Sequence, residues 1–379
     1  MPEERPGLIL TINYGGGGGE YAAASVETGE LVAPKAKRAI TMPRAVSEQF
    51  GPRADDFCNW IDETPNVFGP NSNYRVKMVV CRGLALTPDI NGQPNGFGIY
   101  AVNQAVLEAI STGHVETVHG SQFSVVIGQN FAVERGVPAI FVDPISCMQL
   151  PESGAITGHP TIRFKGLGHW LNIHAALEKS VFGENPWSMY NIITCHFGTG
   201  FTIAAFKMGR MVRVNNANAG GSFSDTRAGE LPTEGLIDFV ASRLALGDNP
   251  QTIKDGLQSG CGLLGLTGAK SLEACFELID GGDKNALSVY EVMIERIAEE
   301  IARRAVNLGG IVDGILLTGG MTLSTRFVQN VRDKIAFLAA GRQMSIITIP
   351  GSLETEAMIQ ASRKVLLEGV EPIQYGPLS

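Results

Sequence analysis

Residues 191–214 read NIITCHFGTGFTIAAFKMGRMVRV. An apolar run closes at His196, Gly198 and Gly200 interrupt it, and a second apolar run turns at Gly209 into a third. Short apolar runs punctuated by glycine predict a three-stranded antiparallel meander with a glycine-rich first turn. The N-terminal region carries the same plan as LILTIN (8–13), the glycine run 15–19, YAAASVE (21–27), TGE (28–30) and LVAPKA (31–36).

Alternating strands and helices follow each meander. After the first come RVKMVVCRG (75–83), a helix near 103–112, VVIGQNFAVERG (125–136) and the strand AIFVDP (139–144). After the second come a long helix near 286–307, GILLTGG (314–320), a helix near 324–339, MSIITIP (344–350) and an amphipathic helix near 355–368. Two unrelated α/β domains could share such a plan. A duplicated fold, with its two glycine turns facing each other across a cleft, explains the repetition better. Opposed turns of that kind hold polyphosphate through backbone N–H groups.

At 379 residues the chain exceeds a single hydrophobic core. The expected domains are 1–150 with about 358–379, and 151–357. A net charge of -8 without a basic stripe argues against a nucleic-acid partner. The densest basic cluster, Lys35-Ala-Lys37-Arg38, reads as a solvated turn. No apolar run reaches membrane-span length, and MPEERPGLILTIN lacks the features of a signal peptide. Six dispersed cysteines read as buried free thiols, which suits the cytoplasm.

From residue type and position, Arg82 ends an apolar strand before a glycine, so its guanidinium needs an anion: a structural carboxylate or a ligand. His196 closes a strand at a glycine turn, where it is either a satisfied core histidine or a phosphate donor beside the amides of Gly198, Thr199 and Gly200. Asp143 lies at a strand's C-terminal end, where open α/β sheets place ligands, although it also suits a turn into Pro144.

In this arrangement the chain resembles the acetate and butyrate kinases of the actin-like, sugar-kinase-like ATPase superfamily, and within them the butyrate and branched-chain fatty-acid kinases. The segments that carry the resemblance are RGLAL (82–86), VPAIFVDP (137–144), GHWLNIHAAL (168–177), HFGTG (196–200), VRVNNANAGGSFSDTRAGELP (212–232), ILLTGGM (315–321) and PGSLETEAM (350–358). The resemblance implies duplicated actin-like (ribonuclease H-like) α/β ATPase domains with an interdomain cleft. It also implies phosphoryl transfer from ATP to a small carboxylate, with Mg²⁺ as cofactor and a homodimer as the assembly.

The same resemblance assigns roles. Arg82 would hold the acyl carboxylate, and Asp143 would orient that carboxylate or a Mg²⁺-bound water. Arg227 and His169 would stabilise the transferring phosphoryl group, with His196 on a phosphate oxygen. Asn13 and an acid at the last helix, Glu356 or its neighbour Glu354, would touch the Mg²⁺ shell. Gly319, Gly320 and Met321 would line the ribose and α-phosphate, and Gly16, Gly17 and Gly18 would cradle phosphate. Phe123 and Phe197 are candidate walls for the acyl chain.

The sequence departs from the family at the first turn. Small hydroxyl residues and a lysine are expected after Asn13, and the chain has Gly16 to Gly19 and Glu20. A charge about 5 Å from a phosphate, at an effective dielectric of about 20, interacts by roughly 3 kcal/mol, so reversing its sign is costly. The five glycines predict a loose loop that costs entropy to order. Thr199 replaces a third glycine of the second turn, and the Asp-x-Arg element of the adenine side is replaced by GAKSLEA (268–274), where Lys270 is a weak substitute. Three readings stay open: an active short-chain carboxylate kinase, a kinase with another donor or acceptor, and a protein that binds nucleotide or acyl ligand without efficient turnover.

Overall fold

A computed structural model describes residues 5–15, 18–38, 50–64, 67–68, 72–86, 96–115, 120–148, 150–340 and 344–376. The chain forms two compact units, Met1–Gln149 with Leu353–Ser379, and Leu150–Ser352.

In the first unit β1 (Gly7–Gly15), β2 (Gly18–Ser25) and β3 (Leu31–Arg38) form the antiparallel meander. Strands β4 (Arg75–Arg82) and β6 (Ala139–Val142) extend it in parallel, with β5 (Ile99–Ala101) antiparallel at the edge, in the order β3-β2-β1-β4-β6-β5. Alternation sends Leu8, Leu10, Ile12 and Tyr14 of β1 into one core with Phe57 and Phe123 from the helices Phe50–Asp62 and Ser121–Arg135. The opposite face carries Asn13 and receives the terminal helix Glu354–Glu368.

In the second unit β7 (Asn191–Phe197), β8 (Phe201–Lys207) and β9 (Arg210–Val214) repeat the meander. Strands β10 (Gly314–Gly319) and β11 (Ser345–Pro350) run parallel to β7, giving β11-β10-β7-β8-β9. The long helix Lys284–Asn307 buries Met293, Ile297 and Ile301 against Ile193, Cys195 and Phe197, while the helix Trp170–Lys179 packs on β10 and β7. Read outward from the meander, β9-β8-β7-β10-β11 reproduces β3-β2-β1-β4-β6. The fold is duplicated.

Three expectations change. Gly15, Gly18 and Gly19 of the glycine run are strand residues, because Gly15 pairs with Gly18 and Gly19 pairs with both Tyr14 and Arg38, while Gly16 and Gly17 lie outside the described residues. A Cβ on Gly19 would overlap the Phe57 ring, so glycine there lets an aromatic side chain lie flat on the hairpin. Lys35-Ala-Lys37-Arg38 is the end of strand β3 rather than a turn, its register fixed by β2. Between β9 and the long helix the chain forms the helices Thr233–Ala245, Pro250–Ser259, Gly262–Thr267 and Leu272–Asp280, a region for which the sequence pattern predicts no element. They are short and separated by glycine, so no apolar period accumulates.

Candidate active site

In the first unit, Asn13, Arg82 and Asp143 fall together because β1, β4 and β6 are parallel neighbours that end level with one another. Gly83, just past Arg82, has no room for a side chain, since a Cβ would come within 2.6 Å of the Pro144 backbone. Two acids start the terminal helix, and the structure brings Glu354 to the strand ends. Asn13 Nδ2 donates to Glu354 Oε2 at 2.8 Å, and Arg82 Nη2 lies 3.4 Å from Glu354 Oε1. Glu354 is buried, whereas Glu356 is exposed, so of the two acids expected near Asn13 it is Glu354 that the structure places against it. Helix periodicity causes this: residues two apart point to different sides.

Asp143 is buried and sits at φ 43, one of two positive-φ non-glycine residues among those described. Its backbone N–H donates to Gly98 O at 3.0 Å, and its Oδ1 accepts from Gly98 N–H at 2.8 Å. A strained backbone held by such an exchange over-determines where the carboxylate stands. Glu20 lies opposite Asn13 across the hairpin and accepts from Thr355 Oγ1 at 3.2 Å. An amide oxygen and carboxylates are hard donors of the kind Mg²⁺ takes when water and phosphate complete its shell. Among the described residues no group of three or more His, Cys, Asp or Glu is placed to bind a metal unaided, so Mg²⁺ would need that completion.

In the second unit, β7 and β10 end together at His196 and Thr318. Asn172, fully buried on the helix Trp170–Lys179, places Nδ2 3.0 Å from His196 Nδ1 and 3.0 Å from Thr318 Oγ1. An amide N–H₂ only donates, so His196 accepts at Nδ1 and carries its proton on Nε2. His169 is anchored by Thr202, whose Oγ1 accepts from the His169 backbone N–H at 3.2 Å and shares a hydrogen bond with His169 Nδ1 at 2.8 Å. The two imidazoles stack at 4.2 Å with planes 11° apart.

The glycine turn lies against these groups. A Cβ on Gly198 would stand 2.9 Å from His196 Nε2, and one on Gly200 would press on the Arg227 guanidinium, 2.6 Å from its Cζ. Arg227 is held there by Nη1 donating to Ala217 O at 2.5 Å and to Asn218 Oδ1 at 2.9 Å. Thr199 is exposed between the two glycines and keeps negative φ, so replacing a glycine there costs no backbone strain. Gly319, at φ 98, approaches the backbone of Phe197 so closely that a Cβ would lie 2.7 Å from its nitrogen.

The remaining expected site residues are placed as follows. Met321 is buried in the apolar core of the second unit. Phe123 and Phe197 are fully buried core residues, the first edge-on to Tyr14 and the second to Phe201 and Phe327. Gly320 is exposed, in the turn of 3₁₀ helix Gly320–Leu323. Lys270 is exposed just ahead of the helix Leu272–Asp280. Gly16 and Gly17 lie outside the described residues, and Gly18 opens β2. Asn172, Thr202 and Thr318 were missed. A signal for the first existed, since Asn172 interrupts the apolar face of GHWLNIHAAL three residues after His169.

Paired parallel-strand ends of this kind, duplicated along one chain, define the actin-like ATPase fold. Crystal structures that share it include acetate kinase from Porphyromonas gingivalis, with a TM-score of 0.68 and 18% identity over 95% of this chain and 100% of that one. Acetate kinase from Entamoeba histolytica is similar, with a TM-score of 0.69 and 14% identity over 95% and 99% of the two chains. The Acetokinase family model matches residues 172–342. "Probable butyrate kinase 2" of Caldanaerobacter subterraneus subsp. tengcongensis is 31% identical over 335 residues, 88% of this chain and 89% of that protein. "Probable butyrate kinase 1" of Thermotoga maritima is 33% identical over 286 residues, 75% and 77% of the two chains. The chain belongs to the acetokinase family.

Proposed function

We propose that the protein is an ATP-dependent carboxylate kinase that forms an acyl phosphate from a short-chain fatty acid, butyrate or isobutyrate. The observation that carries this is the pair of stacked histidines, His196 with its proton on Nε2, beside Arg227 and the turn of Gly198 to Gly200. Such an array of fixed donors suits a planar, anionic phosphoryl group. The names of the two curated relatives support the choice of acceptor.

In this reading residues 1–149 with 353–379 serve the acyl substrate and metal, and residues 150–352 serve the nucleotide. Arg82 binds the substrate carboxylate and Asp143 orients it. An ionised carboxylate oxygen attacks the γ-phosphorus in line, its new P–O bond forms, and the bond to the β-phosphate breaks with the electron pair leaving on ADP. No general base is needed, because the acceptor has no proton to lose. Asn13 and Glu354 would hold Mg²⁺, whose charge offsets that of the phosphates. His169, His196 and Arg227 donate to the transferring group and the leaving phosphate. A coupled assay of MgATP with acetate, butyrate and isobutyrate tests the proposal; absence of ADP production with all three overturns it.

One observation favours a second reading, a member that binds ligand with little turnover or uses another phosphate donor. The first hairpin carries Glu20 in place of a cation and has no hydroxyl residue among 15–19. That version predicts ADP binding without turnover of MgATP.

We also propose a second copy of the chain as partner and the cytoplasm as compartment. The helix Thr233–Ala245 buries none of its residues although it carries Ile237 and Phe239, exposed by 61% and 43%. The groove beside it, about 660 Å³, includes Leu231, Pro232, Leu266 and Val292 among its lining. Its rim carries Arg303 with Glu230 and Arg296 with Glu299, mixed charges that a twofold pairing can complement. Among the described residues no helix is long and apolar enough to cross a membrane.

A further inference from the structure

Strand β5 is only three residues long and lies at the edge of its sheet. Its inner side pairs with β6, where Ile99 faces Val142. Its outer side is covered by the chain beyond the terminal helix. The Ile373 backbone N–H donates to Ile99 O at 2.8 Å, and the Ala101 N–H donates to Ile373 O at 3.0 Å. Residue 373 thus adds one parallel rung outside the edge strand. The segment that carries it is tied at its far end. Tyr375 is buried in the core of the first unit, and its carbonyl accepts from Nδ2 of Asn103, the N-cap of the helix Gln104–Ser111, at 2.7 Å.

Gly98, the residue before β5, joins this edge to Asp143. Its N–H donates to Asp143 Oδ1 and its carbonyl accepts from the Asp143 N–H. Ile373 lies against the same glycine, since a Cβ on Gly98 would stand 2.8 Å from Ile373 Cδ1. Asp143 sits at φ 43, a conformation that persists only where its surroundings hold it. We propose that residues 371–375 form a strap that positions Asp143, with Ile373 fixing β5 and Gly98, and Gly98 fixing the carboxylate. The terminal segment then serves the strand ends twice. Glu354 opens its helix beside Asn13 and Arg82, and Ile373 follows the helix to brace Asp143. The strap itself is a matter of local geometry; its effect on turnover rests on the kinase reading, in which Asp143 orients the attacking carboxylate.

The experiment compares Ile373→Pro, Gly98→Ala, Ile373→Val and the double variant Gly98→Ala with Ile373→Val. Readouts are hydrogen exchange of the amide at position 98 in the unliganded protein, kcat, KM for the carboxylate and for ATP, and the thermal midpoint. Ile373→Pro removes the N–H given to Ile99, so exchange at position 98 should accelerate by about tenfold or more. Its kcat should fall by about tenfold, since a misplacement of about 1 Å can cost ~10²-fold, while KM for ATP stays near its original value. Gly98→Ala presses on Ile373 Cδ1 and should lose a similar factor. Ile373→Val deletes that atom, so alone it should be close to wild type, and in the double variant it should restore kcat to within about threefold. Unchanged exchange at position 98 in Ile373→Pro, or a double variant no better than Gly98→Ala, overturns the strap. So does a loss of kcat with a rise in both KM values that merely follows the thermal midpoint. A wild type that turns over no carboxylate, yet whose position 98 exchanges slowly and is released by Ile373→Pro, overturns the kinase reading and supports the strap.

Discussion

Asn172 fixes the proton of His196. Its Nδ2 lies 3.0 Å from His196 Nδ1 and gives its second hydrogen to Thr318 Oγ1, also at 3.0 Å. The imidazole therefore stands as the Nε2–H tautomer, the form that donates to an oxyanion. Replacing Asn172 by Leu keeps the branched shape and removes the tautomer control. Turnover should fall by about 10²-fold, the usual loss when one oxyanion donor is misaligned. Two buried hydrogen bonds also go, so the protein should lose roughly 1–3 kcal/mol in urea unfolding. Equal loss of kcat in Asn172→Leu and in His196→Ala would show that both act through the same Nε2–H.

Arg82 and Glu354 make a second coupled pair. Lysine at position 82 keeps the charge and loses the planar fork that receives a carboxylate. KM for the carboxylate should rise by about 10–100-fold, the equivalent of a charge-assisted hydrogen bond of roughly 1.5–3 kcal/mol, while KM for ATP stays near its original value. Glutamine at 354 should act differently, raising the Mg²⁺ concentration needed for half-maximal rate. A magnesium titration of both variants separates the two roles, and identical behaviour would contradict the assignment.

Gly19 limits how the first turn can be altered. Serine there would drive its Cβ into the Phe57 ring, which itself stacks edge-on with Trp60 at 5.0 Å. Overpacking of this kind costs about 1–3 kcal/mol. The urea midpoint of Gly19→Ser should drop accordingly, so hydroxyls cannot be restored along the whole glycine run without loss of stability.

The framework of the fold was legible because both meanders are strand-length apolar runs with glycine between them. His196 and Arg82 were legible too, since each ends an apolar strand next to a glycine. Cross-strand and cross-element partners were not. Glu354 and Glu356 are chemically the same two residues apart, and only the helix's orientation on β4 and β1 selects the first. The basic cluster Lys35-Ala-Lys37-Arg38 reads as a solvated turn by its charge, whereas pairing with β2 carries β3 through Arg38. Asp225 beside Arg227 was equally silent, for its burial depends on the helix Gly262–Thr267, whose Leu264 N–H donates to its backbone carbonyl at 2.8 Å.

Burial raises the pKa of Asp225 above the ordinary aspartate value, only partly offset by the Thr226 amide, the Ser224 hydroxyl and the Arg227 charge. Its Oδ1 has no hydrogen-bond partner among the described residues. The folded state therefore holds this proton more tightly than the unfolded chain does. That linkage stabilises the fold below the unfolded pKa of about 3.9 and is lost as pH rises through the folded value. Asp225→Asn removes the ionisation, so its thermal midpoint should exceed that of the wild type at neutral pH. The difference should shrink as the pH falls towards the unfolded pKa. A constant offset across that range would mean that packing, not charge, governs the site.

The helix Thr233–Ala245 gives the last test. Ile237 and Phe239 lie on a helix that packs on little besides Pro250–Ser259, and Leu244 and Leu246 near its end are exposed by 45% and 76%. Leaving such side chains in water forgoes roughly 1.5–3 kcal/mol for each one that burial would cover. A twofold pairing covers the same residues on both copies, so a single charged substitution acts twice in one interface. Ile237→Glu with Leu244→Glu, one face of the helix, should convert a dimeric wild type to a monomer in sedimentation velocity at about micromolar concentration. Because none of the helix's residues is buried within the chain, the monomer should keep its wild-type circular dichroism. A wild type that sediments as a monomer would overturn the dimer, and a variant that remains dimeric would place the subunit contact on another surface.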